Sequence, residues 1–174
     1  FAIRTIFLYN ASFKGMYAIH SASVLYKDKA WLFSGHSGAG KSTHTNMWKE
    51  LFNTPVINGD LNLIDINTTD GIPVVIGIPW CGTSGIYTSR SYPLGGITFI
   101  KKDITDQVRR IDGDDAVLSI AQRMISPCWN TGLLENNLAA SEKIAAGITV
   151  FRLCCTKNPS SAFLMKEEID NEYH

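Results

Sequence analysis

The sequence carries no surplus of either charge: sixteen Lys and Arg stand against sixteen Asp and Glu, a formal net charge of +0. Without a basic surplus there is no long-range field to gather the chain onto nucleic acid or an acidic membrane, and neither partner is expected. Cysteine is scarce. Its four residues (Cys81, Cys128 and the adjacent Cys154 and Cys155) form no C-x-x-C pair and suit neither a disulfide framework nor zinc spacing. Reduced core thiols in a cytoplasmic protein are the expectation. No apolar run reaches the length of a membrane span, no basic-then-apolar leader opens the chain, and no repeat or low-complexity tract interrupts it. Phe1 rather than methionine stands first, so an upstream segment is expected. What is present is ordinary globular composition, 45% apolar and 18% charged over 174 residues, which excludes global disorder and predicts a single domain over residues 1–174.

Hydrophobic spacing predicts a helix over residues 2–13. The run Ala18 to Tyr26, the polar turn Lys27-Asp28-Lys29 and the apolar run Ala30 to Phe33 read as a β-hairpin. Its second strand feeds a glycine loop, and a helix over Ser42 to Phe52 follows, ended by Pro55. Val56-Ile57 is a short strand closed by Asn58-Gly59-Asp60. Leu61 to Ile66 and Ile72 to Ile78 flank the Asp70-Gly71 turn as a second hairpin. Ile97 to Ile100 and Ile148 to Leu153 read as strands, and Asp114 to Ile125, Thr131 to Ala146 and Pro159 to Ile169 as helices. Early hairpins with late helices give an α/β fold on a mixed β-sheet.

Gly35-His36-Ser37-Gly38-Ala39-Gly40-Lys41-Ser42 matches G-x-x-x-x-G-K-[ST] without a mismatch, between a predicted strand and a predicted helix. This is the P-loop, or Walker A, pattern. Glycines let successive amides curl around phosphate oxygens, and the helix start adds unpaired donors and the positive end of its dipole. Lys41 supplies a mobile charge for the β and γ phosphates, the Ser42 hydroxyl can join a magnesium shell, and Thr43 continues the donor row. Nucleotide binding through residues 35–43 is therefore expected.

Phosphoryl transfer needs an acidic group to hold magnesium or take the acceptor's proton. Asp60, Asp65 and Asp103 each follow apolar residues, and Asp60 is preferred because it ends the first strand after the loop's helix. Asn-Gly-Asp is also ordinary turn chemistry, and both readings stand. The loop Ile78-Pro79-Trp80-Cys81-Gly82-Thr83-Ser84-Gly85 joins glycines to hydroxyls, so it either clasps the acceptor or a phosphate or is a surface turn around a packed Trp80. Arg90 is a candidate to neutralise charge on the transferred group, or a surface ion-pair residue. His20 lies on the strand beside the loop's strand; His36 and His44 lie in the loop and on its helix. Cys81 has no base to activate it.

The run AIHSASVLYKDKAWLFSGHSGAGKST, followed by VINGD, GIPWCGTSG and YPLGGITFI, resembles the nucleotide-binding domain of the HPr kinase/phosphorylase family and, more distantly, ATP-dependent phosphoenolpyruvate carboxykinases. The resemblance covers about residues 17–100. It implies a P-loop on a mixed sheet, ATP with Mg²⁺, and phosphoryl transfer. Kinase-family members carry an aspartate pair after the loop's helix; here Asp60 stands alone, between Gly59 and Leu61, and His36 stands where that family has an acidic residue.

The leading expectation is an ATP-dependent kinase acting on a hydroxyl of a small metabolite or a protein serine. Lys41 and Ser42 would hold phosphate and Mg²⁺, Asp60 would orient metal or acceptor, and His20 and Arg90 would assist. An ATP-holding regulatory module is the alternative, a carboxykinase-like lyase the third reading, and a homo-oligomer is left open.

Overall fold

The computed structural model describes residues 2–127 and 129–173, so the thiol expected at Cys128 lies outside the described residues. The chain builds a mixed α/β fold around strand β2 (Lys29–Ser34), which is buried from Ala30 to its end. It pairs antiparallel with β1 (Met16–Tyr26) and parallel with β6 (Ser91–Lys102). A strand covered on both faces and both edges needs apolar residues in sequence rather than in alternation, which is why Ala30 to Phe33 reads as an unbroken run. The β1–β2 turn is two residues long, with Lys27 and Asp28 at φ 50° and 58°, matching the twist of the flanking strands.

Beyond β6 lies β8 (Thr149–Cys155), parallel to it, and then β7 (Gln107–Ile111), antiparallel at the edge. The other half of the sheet begins where the first half of β1 pairs with β4 (Leu61–Asp65). There β4 pairs with β5 (Val74–Ile76), and β5 with the start of β6. The long strands β1 and β6 thus take part in both halves, and the pairings return to β2. A short β3 (Val56–Asn58) lies against β1 with a register shift between Ser23 and Val24.

Helices cover both faces. On one side α2 (Lys41–Phe52) and α5 (Ser160–Asn171) bury Trp48, Met165 and Ile169 against Phe33, Phe151 and Leu153. Trp48 is fully buried against the rings of Tyr26, Phe33 and Phe52, and truncating such a residue to Ala costs about 3–5 kcal/mol. On the other side α3 (Gly113–Ala121) and α4 (Thr131–Gly147) set Ile120 and Ile144 against Ile19, Leu32 and Ile97. At the end, α1 (Ala2–Ser12) lays Leu8 and Ala11 on Ala18, Leu61 and Leu63. No helix among the described residues is long and apolar enough to cross a membrane.

Three sequence expectations are corrected. Helix α2 ends at Phe52 as expected, but what closes it is the left-handed Asn53 (φ 54°) rather than Pro55. Strand β7 was not foreseen. Helix α3 stops at Ala121 instead of Ile125: the segment 123–125 peels away and lies along β1, with His20 N–H donating to Arg123 O (2.9 Å) and Ile125 N–H to Ala18 O (2.9 Å). Met124 enters the core at that point, 7% exposed, and the free edge of β1 gains backbone partners that a longer helix would have left unmet.

Candidate phosphate-binding site

Strand β2 delivers the glycine loop to the open end of the sheet. Ser34, the last residue of the strand, donates its hydroxyl to His20 O (2.7 Å). Inside the loop Ala39 N–H bonds back to His36 O (3.0 Å), and His44 N–H makes the first helical bond to Gly40 O (2.9 Å). Among the described residues the amides of Ser37, Gly38, Gly40, Lys41, Ser42 and Thr43 find no main-chain acceptor. Gly38 and Gly40 sit at φ 74° and 107°, and the space a Cβ would take there is open; backbone conformation, not crowding, requires glycine. Lys41 folds back so that its ammonium donates to Gly35 O and His36 O at 3.3 and 3.4 Å. Burial pulls its pKa below the ordinary lysine value, Asp60 opposes, and Arg123 pushes further down. An anion seated on these amides would relieve the crowding of positive charge.

Asp60 is held from both sides. Its N–H donates to Asn58 Oδ1 (2.9 Å), which also accepts from Leu61 N–H (3.1 Å), while the Asn58 amide donates to Ile78 O (3.0 Å). Its carbonyl accepts from Ser21 N–H (3.0 Å). The Asn-Gly-Asp turn is thus a genuine side-chain-stabilised turn and also the mount for a carboxylate; the two sequence readings are compatible. Below it a buried polar cluster locks β1 to β4: Asn62 donates to Ser21 O (2.7 Å) and Ser21 Oγ (2.9 Å), and Ser23 donates to Asn62 Oδ1 (2.7 Å). Gly82 packs on the aspartate so closely, at φ 61°, that a Cβ would stand 2.8 Å from Asp60 Cβ.

His20 Nδ1 lies 3.4 Å from Asp60 Oδ1. Burial lowers the imidazole pKa, Lys41 lowers it further, and the pull of Asp60 does not compensate, so the ring is neutral at pH 7 and the contact is a long polar one rather than an ion pair. Arg123, which the sequence reading passed over, stands with its guanidinium 2.9 and 3.1 Å from the two ring nitrogens of His36. Arg90 is exposed at the foot of β6, held through its backbone by Gly77 and Thr88, and lines neither hollow beside the loop. His44 turns into the core, 2% exposed, accepting from Trp48 Nε1 (3.1 Å) with its ring on Phe33. Asp65 and Asp103 accept backbone bonds in their own turns. Cys81 and Cys155 are buried free thiols, and Cys154 is half-buried.

Two hollows flank the loop. The larger, about 470 Å³, runs from Gly35–Ala39 over Phe99 and Ile100, and its lining includes four cations, Lys101, Lys102, Arg123 and Arg152, with no carboxylate. The smaller, about 340 Å³, lies between α2 and residues 83–86; Ser42 and Asp60 face into it together with Thr83. In the loop Ile78 to Gly85, Thr83 and Ser84 border this hollow while Trp80 packs on Phe7 with ring centroids 5.0 Å apart, as the turn reading expects. No cluster of three or more His, Cys, Asp or Glu able to hold a metal occurs among the described residues. Ser42 and Asp60 fit a hard cation that brings phosphate and water ligands of its own.

No protein-family profile matches the sequence. No curated protein matches it either. Among solved structures the chain is similar to the HPr(Ser) kinase/phosphatase from Coxiella burnetii, at 10% identity and a TM-score of 0.42, over 90% of this chain and 95% of that one. At that level the likeness is distant, and the functional reading rests on the site itself.

Proposed function

We propose that the protein is an ATP- and Mg²⁺-dependent phosphotransferase that moves the γ-phosphoryl group to a hydroxyl. The observation that carries this reading is the row of amides without main-chain acceptors beside Lys41, with Ser42 at its end sharing a hollow with Asp60. Residues 35–43 would hold the β and γ phosphates, the larger cationic hollow the rest of the nucleotide, and Ser42 with Asp60 the magnesium, whose contribution when bound is to neutralise phosphate charge. The acceptor oxygen attacks the γ phosphorus, the bond to the β–γ bridging oxygen breaks, and its electron pair leaves with ADP. The acceptor proton passes to the Asp60 carboxylate, beside which neutral His20 can relay it. Lys41 and Arg123 stabilise the oxygens on which charge accumulates.

An ATP-holding regulatory module is the second reading. It draws on the fact that Asp60 is the single carboxylate lining the smaller hollow. Labelled ATP separates the two. The wild type is expected to bind ATP and form a labelled product, and Lys41→Ala to weaken binding by about 100-fold with an unchanged circular dichroism spectrum. Undiminished ATP binding by Lys41→Ala would remove the basis of both readings, while tight binding without any turnover would favour the module.

A further inference from the structure

We infer that the phosphoryl acceptor is a small uncharged polyhydroxyl compound, seated in the hollow between α2 and residues 83–86, and that phosphorylated or carboxylated acceptors are rejected. This deepens the phosphotransferase reading and rests on it. The hollow over the glycine loop and the hollow beside α2 differ in electrostatic character. On the larger side stand four cations and no carboxylate, the environment for a polyanion. On the smaller side Asp60 is accompanied by neutral groups alone, with no Lys, Arg or His in the lining. Magnesium held by Ser42 and Asp60 is committed to the phosphates, and beyond it an anionic acceptor would find no Lys, Arg or His in the wall to pair with.

The neutral groups there are also free to recognise hydroxyls. Thr45 Oγ1 is committed to Ser42 O (3.2 Å) and Ser84 Oγ to Cys81 O (2.6 Å). By contrast, the Asn46 amide and the Thr83 hydroxyl make no hydrogen bond with another described residue, and the Ser42 hydroxyl is reserved for the magnesium. These two groups, one on α2 and one in residues 83–86, border a space of about 340 Å³, the scale of a pocket for one small molecule. Both groups are exposed and hydrated when the hollow is empty, and ligand hydroxyls can take the place of that water.

The test is transfer from γ-labelled ATP, with ATP binding measured on the same sample, to glycerol, inositol and glucose, to their monophosphates, to glycerate and gluconate, and to serine-containing peptides. Neutral polyols should be labelled with kcat/KM at least about 100-fold above their phosphates and the sugar acids. Thr83→Lys, which adds one cation to the wall, should shift that ratio toward the anionic compounds by about tenfold. Preference for anionic acceptors, labelling confined to peptides, or bound ATP with no transfer to any neutral polyol would overturn the inference and leave nucleotide binding standing. Failure to bind ATP would overturn the phosphotransferase reading and this inference with it.

Discussion

The two ends of the long strands treat charge in opposite ways. At the rear, Asp170 on α5 receives the Tyr26 hydroxyl at 2.7 Å, Lys27 at 2.8 Å and Lys166 at 2.6 Å. Burial alone would raise its pKa, but the hydrogen bonds from Lys166, Lys27 and Tyr26 hold the carboxyl far below the usual range. Around the glycine loop the corresponding distances are 3.3 and 3.4 Å from Lys41 to two carbonyls and 3.4 Å between His20 and Asp60. Short, saturated contacts tie α5 to the β1–β2 hairpin. At the loop Arg123 alone sits close to a ring, on His36 at 2.9 Å, while the side chains of Lys41, His20 and Asp60 make only long contacts. The difference separates charges committed to the fold from charges that the fold leaves only loosely engaged.

The sharpest way to break that comparison is Asp60→Asn. Transfer from labelled ATP is expected to fall by about 10²- to 10⁴-fold while ATP affinity stays within a few-fold. Intact transfer in this variant would remove Asp60 from the chemistry and return it to turn duty alone. Arg123→Ala should lower transfer by about 100-fold, because its main-chain bond to His20 survives the substitution and only the guanidinium is lost. Arg90→Ala, measured in the same assay, is expected to stay within about twofold of wild type.

Stability measurements sharpen the other side. Burial lowers the His44 pKa to about 4, with Asp106 opposing. Between the ordinary imidazole pKa and that value the unfolded chain binds a proton that the native state refuses. Stability is therefore fully present above about pH 6.5 and declines as the pH falls toward 4, by up to about 3 kcal/mol from this group. Urea unfolding at pH 7 and pH 4.5 should show that much more loss in wild type than in His44→Phe; equal losses would show that His44 is not the titrating group. Asp170→Asn is expected to cost about 1–2 kcal/mol at pH 7, with ATP binding untouched. A change in ATP affinity there would mean that the two ends are coupled.

The parts of the fold that depend on local patterning were legible in the sequence. The β1–β2 hairpin, the glycine loop and α2 follow from an apolar run, a two-residue polar turn and glycines placed where the backbone needs them. The Asn58-Gly59-Asp60 turn was legible from its residue types, and the structure shows Asn58 Oδ1 accepting from the Asp60 and Leu61 amides there. The paired clusters were not. Ser21, Ser23 and Asn62 look like ordinary strand and turn residues until β1 and β4 come together, and nothing local announces that they share a buried network. Arg123 was hidden for a different reason. Helical spacing continues through Met124 and Ile125, and only the vacant edge of β1, a tertiary fact, draws the segment out of the helix. Arg90 followed the glycine-rich loop in sequence and drew attention by that nearness, yet the chain carries it to the foot of β6. Strand β7 escaped because it is an edge strand with two arginines, paired on one side only.

Registration of β1 has a consequence that reaches past the sheet. At two neighbouring positions, His20 and Ser21, this strand grips Ser34 at the root of the loop, the carbonyl of Asp60 and the carbonyl of Arg123. Sliding it by a single residue would turn the imidazole to the opposite face and unfasten all three anchors together. Whatever chemistry occurs at the loop is thus calibrated by the pleat of one strand, and lesions far down β1 that loosen its alignment should disable the protein without touching a single residue of the pocket.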